Sequence, residues 1–449
     1  MKHYILPLIL TIFSLTTKAQ TIDTIGNTIV QISVALDSSH FANGYMSSPW
    51  DLHWGPDQKL WYTNNKTLCT YDPASQAVDT ILELPTGYIL AVTTHTNFFN
   101  NPYVYITVDT ASYYGVGNNI QVYRYEYNFA GDSLFNPLFL LSWNHPGEHS
   151  GGRIIFGQDD KLYISTAEYY IGNDTLFNNS GKVLRVNPDG TVPFDNPRAD
   201  YTYTYGHRNP QGIVQVPNGN LFVSEYGQQW DELNLLEENK YFGWITFDGV
   251  SCINNQDSCD YYDSTAVFPL DVAMNPPSGI DYYNHPAIPE FTGLVQAVTG
   301  AIKQGLIVYT MNSDFDSVIT KSYYLTQEYG RVRDACAASD GSLYFIAGDR
   351  SVPKICVIRN PLFDAVAEPG QSSFTFYPNP TKDKFFYRLH SGDKGNMTIF
   401  DISGKIVHQQ KVSGDHGEIE TGNYPAGSYT ISLEKSHGTV SSQRLVIIK

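Results

Sequence analysis

Outside its first twenty positions this 449-residue chain has no run apolar enough to cross a bilayer, which takes roughly 20 apolar residues. The mature protein is therefore expected to carry no transmembrane segment. Basic charge is also scarce: 28 Lys and Arg stand against 45 Asp and Glu, a formal charge of -17. Phosphate backbones need clustered cations, so nucleic acid is excluded as an expected partner. Sustained i, i+3, i+4 apolar stripes are missing, which argues against a helical body. Cysteine is sparse, with Cys69, Cys252, Cys259, Cys336 and Cys356 showing neither Cys-x-x-Cys nor Cys-x-x-Cys-His spacing. That excludes a zinc ribbon and a covalent haem. An odd thiol remains in an oxidising compartment, and Cys252 and Cys259, in an Asn/Asp-rich loop, are the best-placed pair.

Aromatic residues are abundant, with 33 Tyr and 23 Phe. The start reads as an export signal over residues 1–20: Lys2 and His3, an apolar run from Ile5 to Leu15, then a polar exit through Ala19. From there one pattern recurs, an alternating strand, an Asp or Asn turn, and a strand in which Leu precedes an aromatic. It occurs at Trp50–Thr63, Arg153–Ser165, Gly212–Val223 and Asp334–Phe345. Period-2 alternation around such turns predicts hairpins. A closed ring of four-stranded blades explains the repeat and leaves no open edges. At 50 to 60 residues per blade, residues 21–360 give about six. The expected fold is all-β, a six-bladed β-propeller. A Pro/Gly/Ser-rich linker over 361–373 leads to residues 374–449, where short strands and Gly turns predict a small Ig-like β-sandwich.

Polar chemistry concentrates in Tyr203-Thr204-Tyr205-Gly206-His207-Arg208-Asn209-Pro210-Gln211-Gly212, and again in Glu225-Tyr226-Gly227-Gln228-Gln229-Trp230-Asp231-Glu232-Leu233-Asn234. Loops beside strands present such groups. Elsewhere, Glu148-His149-Ser150-Gly151-Gly152-Arg153 puts a His in a Gly-rich strand opening, and imidazole accepts protons near neutrality. In Arg331-Val332-Arg333-Asp334, strand alternation would aim both arginines the same way, as an anion site requires.

Two resemblances follow from these strings. Residues 374–449, with Tyr377-Pro378-Asn379-Pro380, Phe400-Asp401-Ile402-Ser403-Gly404-Lys405 and Pro425-Ala426-Gly427-Ser428-Tyr429, resemble the C-terminal sorting domain of the type IX secretion system. That implies the type IX machinery as a partner and a secreted or cell-surface product. The body resembles the glucose/sorbosone dehydrogenase family through Tyr205–Gly212, Asp231-Glu232-Leu233-Asn234, Phe242-Gly243-Trp244 and Arg331–Asp334. Those are six-bladed soluble quinoproteins that use pyrroloquinoline quinone (PQQ) and calcium to oxidise aldoses to lactones. The resemblance implies His149 as general base and Arg208 and Asn209 at the quinone carbonyls. It further implies Lys303, Arg331 and Arg333 on the cofactor's anionic groups, and carbonyls of Gly227 and Gln228 on calcium. Asp231 and Glu232 would hold this loop or a second calcium. The substrate would be a sugar, and with no haem motif the electrons would leave to an external acceptor.

The chain departs from the family pattern at Thr86-Gly87-Tyr88-Ile89-Leu90-Ala91-Val92 and at Phe268–Pro277, so the sugar need not be glucose. A non-catalytic, carbohydrate-binding propeller is the alternative. A calcium-dependent lactone hydrolase ranks last, because the matched motifs are cationic where it needs converging carboxylates.

Overall fold

The computed structural model of the chain describes residues 20–41, 49–110, 119–144, 149–169, 178–254, 256–262, 264–300, 303–348, 352–364, 374–389, 394–401, 405–414, 416–435 and 440–448. The expected export signal lies outside these residues except for Gln20, which opens a strand, Gln20–Ile25. The expected linker lies outside them except for its first turn, a short helix at Pro361–Asp364. Nearly all other regular structure is strand, so the fold is all-β.

The four hairpins read from the repeat are present: Leu52–Trp54 with Leu60–Asn64, Gly151–Phe156 with Leu162–Thr166, Pro210–Gln215 with Leu221–Glu225, and Asp334–Ala337 with Leu343–Ala347. Each turns in the same way. A carboxylate or amide oxygen accepts the backbone N–H two residues on, at 3.3 Å from Asp57 to Lys59, 3.2 Å from Asp159 to Lys161, 3.0 Å from Asn218 to Asn220 and 2.9 Å from Asp340 to Ser342.

Among the described residues the body has six antiparallel sheets of four or five strands, four of them opened by these hairpins, and a two-stranded sheet of Phe247–Asp248 with Ser251–Cys252. The second and fifth sheets open instead with Tyr88–Thr94 and Tyr103–Asp109, and with Pro277–Tyr283 and Gly293–Val298. In the sixth, Gln20–Ile25 and Thr28–Leu36 add onto Lys354–Arg359, so both ends of the body share one sheet. Successive sheets bury an apolar cluster between them. Trp61 and Leu68 meet Ile89 and Val104, Leu90 and Tyr105 meet Ile154 and Leu162, and Tyr163 and Val183 meet Ile213 and Val223. Phe222 and Leu233 then meet Leu294 and Ile307, Val295 and Leu306 meet Phe345 and Ile358, and Tyr344 and Ile346 meet Leu52 and Leu60. The last sheet thus packs on the first.

The first strand of each sheet lines the axis. Hydroxyls on the second strand tie a sheet to the inner strand of the next, Ser165 Oγ donating to Pro210 O at 3.3 Å and Ser224 Oγ to Ser278 O at 2.7 Å. Close approach requires small residues there: a Cβ on Gly279 would lie 1.5 Å from Asp334 Oδ1. The later halves of these strands surround an axial cavity of about 730 Å³, lined in part by Trp54, Phe156, Gln215, Tyr282 and His285.

Asp281 also faces that cavity, its carboxylate accepting the Tyr282 and Ala337 N–H groups at 2.8 Å each. Burial pushes it up to about 7. The folded chain therefore keeps a proton that the unfolded chain releases above about pH 4, so this contribution to stability is present below that pH and lost as pH rises through 7. Asp281→Asn removes the titration. Its stability relative to the native chain should rise by ~1–3 kcal/mol from about pH 4 to about pH 8, measured by urea unfolding.

Residues 374–447 form their own core. A three-stranded sheet of Phe374–Tyr377, Lys384–Leu389 and His416–Glu420 and a four-stranded sheet built on Lys394–Phe400 enclose Phe374, Phe385, Met397, Ile431 and Leu445.

Candidate active site

Antiparallel sheets place the start of each inner strand on the same face as the connection between its second and third strands. That face collects the candidate residues. His149 precedes Gly151–Phe156, Arg208 and Asn209 precede Pro210–Gln215, and Arg331 and Arg333 precede Asp334–Ala337. Glu168 follows Leu162–Thr166, Gly227 and Gln228 follow Leu221–Glu225, and Lys303 precedes Gly305–Met311.

At the centre is a carboxylate that the sequence did not announce. Glu168 is 4% exposed. Its Oε1 lies 3.2 Å from His149 Nδ1, and its Oε2 accepts the Trp244 indole N–H at 2.6 Å. Backbone joins the same groups, since Glu168 N donates to Arg208 O at 2.8 Å. The Arg208 guanidinium sits between the Tyr226 and Trp244 rings, 5.3 and 5.2 Å from their centroids. Its Nη1 donates to Tyr226 O at 3.0 Å and Gly227 O at 2.7 Å. Its Nε, 3.8 Å from Glu168 Oε1, is a buried donor with no hydrogen bond. A buried donor left open in this way is a place for an acceptor from outside the chain.

Beneath the Gly227–Trp230 turn lies a bed of acids. Asp248 accepts the N–H groups of Gln228 at 3.0 Å, Gln229 at 2.7 Å and Trp230 at 3.2 Å. Gly227 is required there, because a Cβ would fall 1.8 Å from Trp230 O. Burial, with Asp248 nearby, pushes Asp231 up to about 7, and burial with Glu225 nearby pushes Glu232 up. Both acids lie in the strand Asp231–Leu235, and Glu232 accepts the Gly249 N–H at 2.8 Å. Among the described residues no cluster of three or more His, Cys, Asp or Glu is arranged to hold a metal ion.

His207 is fully buried, its Nδ1 2.8 Å from Glu225 Oε2, its Nε2 2.9 Å from Thr204 Oγ1 and its ring stacked on Phe242. Asn209 is buried with its Oδ1 accepting from Gln211 Nε2 at 2.7 Å. Lys303 is exposed and holds its Nζ 4.2 Å from the Tyr323 ring centroid. Tyr323 Oη accepts from Asn275 Nδ2 at 3.4 Å.

One expectation needs correction. Arg331 and Arg333 are not in a strand: the ladder starts at Asp334, and the three residues before it have no regular structure. Val332 enters the core between the fifth and sixth sheets, while Arg333 is buried with its guanidinium 4.2 Å from the Trp50 ring centroid. The Gly227 carbonyl, expected on calcium, accepts from Arg208 Nη1. A cation could share it only through the second lone pair, against the repulsion of the guanidinium.

Both parts of the chain are similar to known proteins. The family model described as Glucose / Sorbosone dehydrogenase matches residues 46–355, and the Secretion system C-terminal sorting domain model matches residues 375–449. The chain is 31% identical over 240 residues to the quinoprotein glucose dehydrogenase B of Acinetobacter calcoaceticus, covering 44% of this chain and 50% of that protein. It is 29% identical over 232 residues to the aldose sugar dehydrogenase YliI of Escherichia coli, covering 46% and 58%. Only about half the length of these relatives is therefore spanned. The PQQ-bound structure of an aldose sugar dehydrogenase from Streptomyces coelicolor superposes with a TM-score of 0.60 at 24% identity, over 74% of this chain and 98% of that one, a likeness of fold. The disulfide Cys252–Cys259 is formed, and Cys69, Cys336 and Cys356 are buried free thiols.

Proposed function

Because the chain belongs to the glucose/sorbosone dehydrogenase family, we propose that it is an exported oxidoreductase that passes a hydride from C1 of an aldose to pyrroloquinoline quinone and gives a lactone. The six sheets are then six blades of a propeller, and the sorting domain, of the type IX kind, directs secretion or display at the cell surface. The observation that carries the reading is the His149, Glu168 and Arg208 cluster on one face, with Arg208 Nε open.

The residues fit an anionic quinone. Arg208 offers a desolvated donor, and Lys303, Arg331 and Arg333 stand on the same face as cations for carboxylates. When bound, the quinone supplies the electrophile that accepts hydride. His149 has its Nδ1 engaged by Glu168, so its Nε2 is the atom left to take the C1 hydroxyl proton. Glu168 fixes the tautomer and stabilises the imidazolium that results. Trp244 in turn fixes Glu168. Asn209 holds its loop through Gln211 and adds an amide beside Arg208. Calcium would take the carbonyls of Gly227 and Gln228, sharing the first with Arg208, and no step is assigned to it.

Reconstitution with pyrroloquinoline quinone, with and without calcium, followed by dye reduction over a panel of aldoses tests the proposal. Sugar-dependent dye reduction is expected. Absence of both cofactor binding and activity would overturn it, and glycan binding without a quinone spectrum would establish the carbohydrate-binding alternative.

A further inference from the structure

One guanidinium on the axis touches most of the ring. Arg153, on the inner strand Gly151–Phe156, is 5% exposed. Its Nη1 pairs with the Asp51 carboxylate and lies 2.8 Å from Asp334 Oδ2. Its Nη2 donates to Trp50 O and its Nε to Gln211 O, each at 2.9 Å. The two acids extend the reach, Asp51 Oδ2 accepting Val92 N–H and Asp334 Oδ2 accepting Leu52 N–H, both at 2.8 Å. One side chain from the third sheet thus links the first, second, fourth and sixth. The fifth joins through Gly279 N–H to Arg333 O at 3.1 Å.

Three of the four anchors adjoin a residue of the candidate site. Gln211 donates from its side chain to Asn209 Oδ1 at 2.7 Å. The Trp50 ring carries the Arg333 guanidinium, and Asp334 follows Arg333 directly. His149 leads into the strand that bears Arg153. Only a planar fork with five donors can serve these four acceptors at once, and an ammonium of equal charge cannot.

We propose that Arg153 is a positioning residue of the dehydrogenase site, fixing Arg333, Asn209 and His149 relative to one another by forking between Asp51, Asp334, Trp50 and Gln211. The proposal rests on the dehydrogenase function argued above. A part that merely closed the ring would lower stability evenly across the sheets and leave the assembled site unchanged.

The test is Arg153→Lys in the full chain, which keeps the charge and loses the fork. Hydrogen exchange without cofactor should quicken at residues 50–52, 92, 208–211 and 331–334 while the outer strand Val318–Tyr324 keeps its protection. Affinity for pyrroloquinoline quinone, read by spectroscopic titration, should fall roughly tenfold or more, and kcat roughly tenfold to hundredfold with KM for the aldose little changed. A folded Arg153→Lys protein with native exchange at those segments and native quinone affinity overturns the proposal. If that variant does not fold, Asp51→Asn/Arg153→Met/Asp334→Asn, which leaves no unpaired charge, is read by the same criteria. A native chain that fails to bind the quinone sinks the dehydrogenase reading separately, and the exchange pattern then decides positioning alone.

Discussion

His149→Gln should lower kcat for aldose oxidation by about 10²–10⁴-fold, the range expected when a general base is lost, with thermal unfolding almost unchanged. His149 stands at the rim with its side chain 16% exposed, and its one polar tether among those described is Glu168. Glu168 keeps a second partner in Trp244 when the imidazole is gone, so no buried charge is stranded. The loss should therefore appear in the chemistry and hardly in the fold. Steady-state dye reduction on the reconstituted protein, paired with a melting curve, separates the two. A kcat within threefold of native would remove His149 from the base role.

His207→Leu should do the reverse, costing about 3–5 kcal/mol of stability. This histidine has no exposed surface and bridges Thr204 and Glu225 while stacking on Phe242. Glu225 is itself 3% exposed and close to Glu232. Removing the imidazole leaves that carboxylate with the Arg208 backbone N–H and a 3.4 Å contact from Asn234 Nδ2. Desolvation without a partner is the dominant cost of such a change. The urea midpoint should fall sharply. A stability loss of only about a few tenths of a kcal/mol would mean that the pocket around Glu225 takes in water or a proton.

The contrast between these histidines marks what local sequence can show. Both lie in Gly- and Arg-containing loops that open a strand, and the strings alone do not say which one faces solvent. The four hairpins were legible because their Asp or Asn turns are made by a residue and its neighbour two positions on. The second and fifth sheets were not, because their first two strands are joined by the longer segments 95–102 and 284–292, which hide the pairing. Arg331 and Arg333 were read as strand because their polar-apolar alternation runs straight into Asp334–Ala337, whereas the ladder begins only at Asp334. Glu168 and Trp244 stayed hidden for a different reason. They are 76 positions apart and meet only when the third and fourth sheets are packed side by side. A Ser-containing strand followed by an acid, as in Ile164-Ser165-Thr166-Ala167-Glu168 and Val223-Ser224-Glu225, was the one available hint.

The Arg208 guanidinium also sharpens the role of the Gly227 carbonyl. With Nη1 on that carbonyl and Nε open, the side chain is held ready for an acceptor on its Nε edge. A cation on the same carbonyl would use its second lone pair, and quinone binding measured with and without added calcium decides whether the two share it.

The most direct test is a titration of the apo protein with pyrroloquinoline quinone, followed by anaerobic addition of an aldose. The account predicts saturation near one equivalent per chain, and then loss of the oxidised quinone spectrum as lactone forms in equal amount. A chain that leaves the quinone spectrum as it is free in solution, or that binds it and never bleaches with any aldose, would contradict the account.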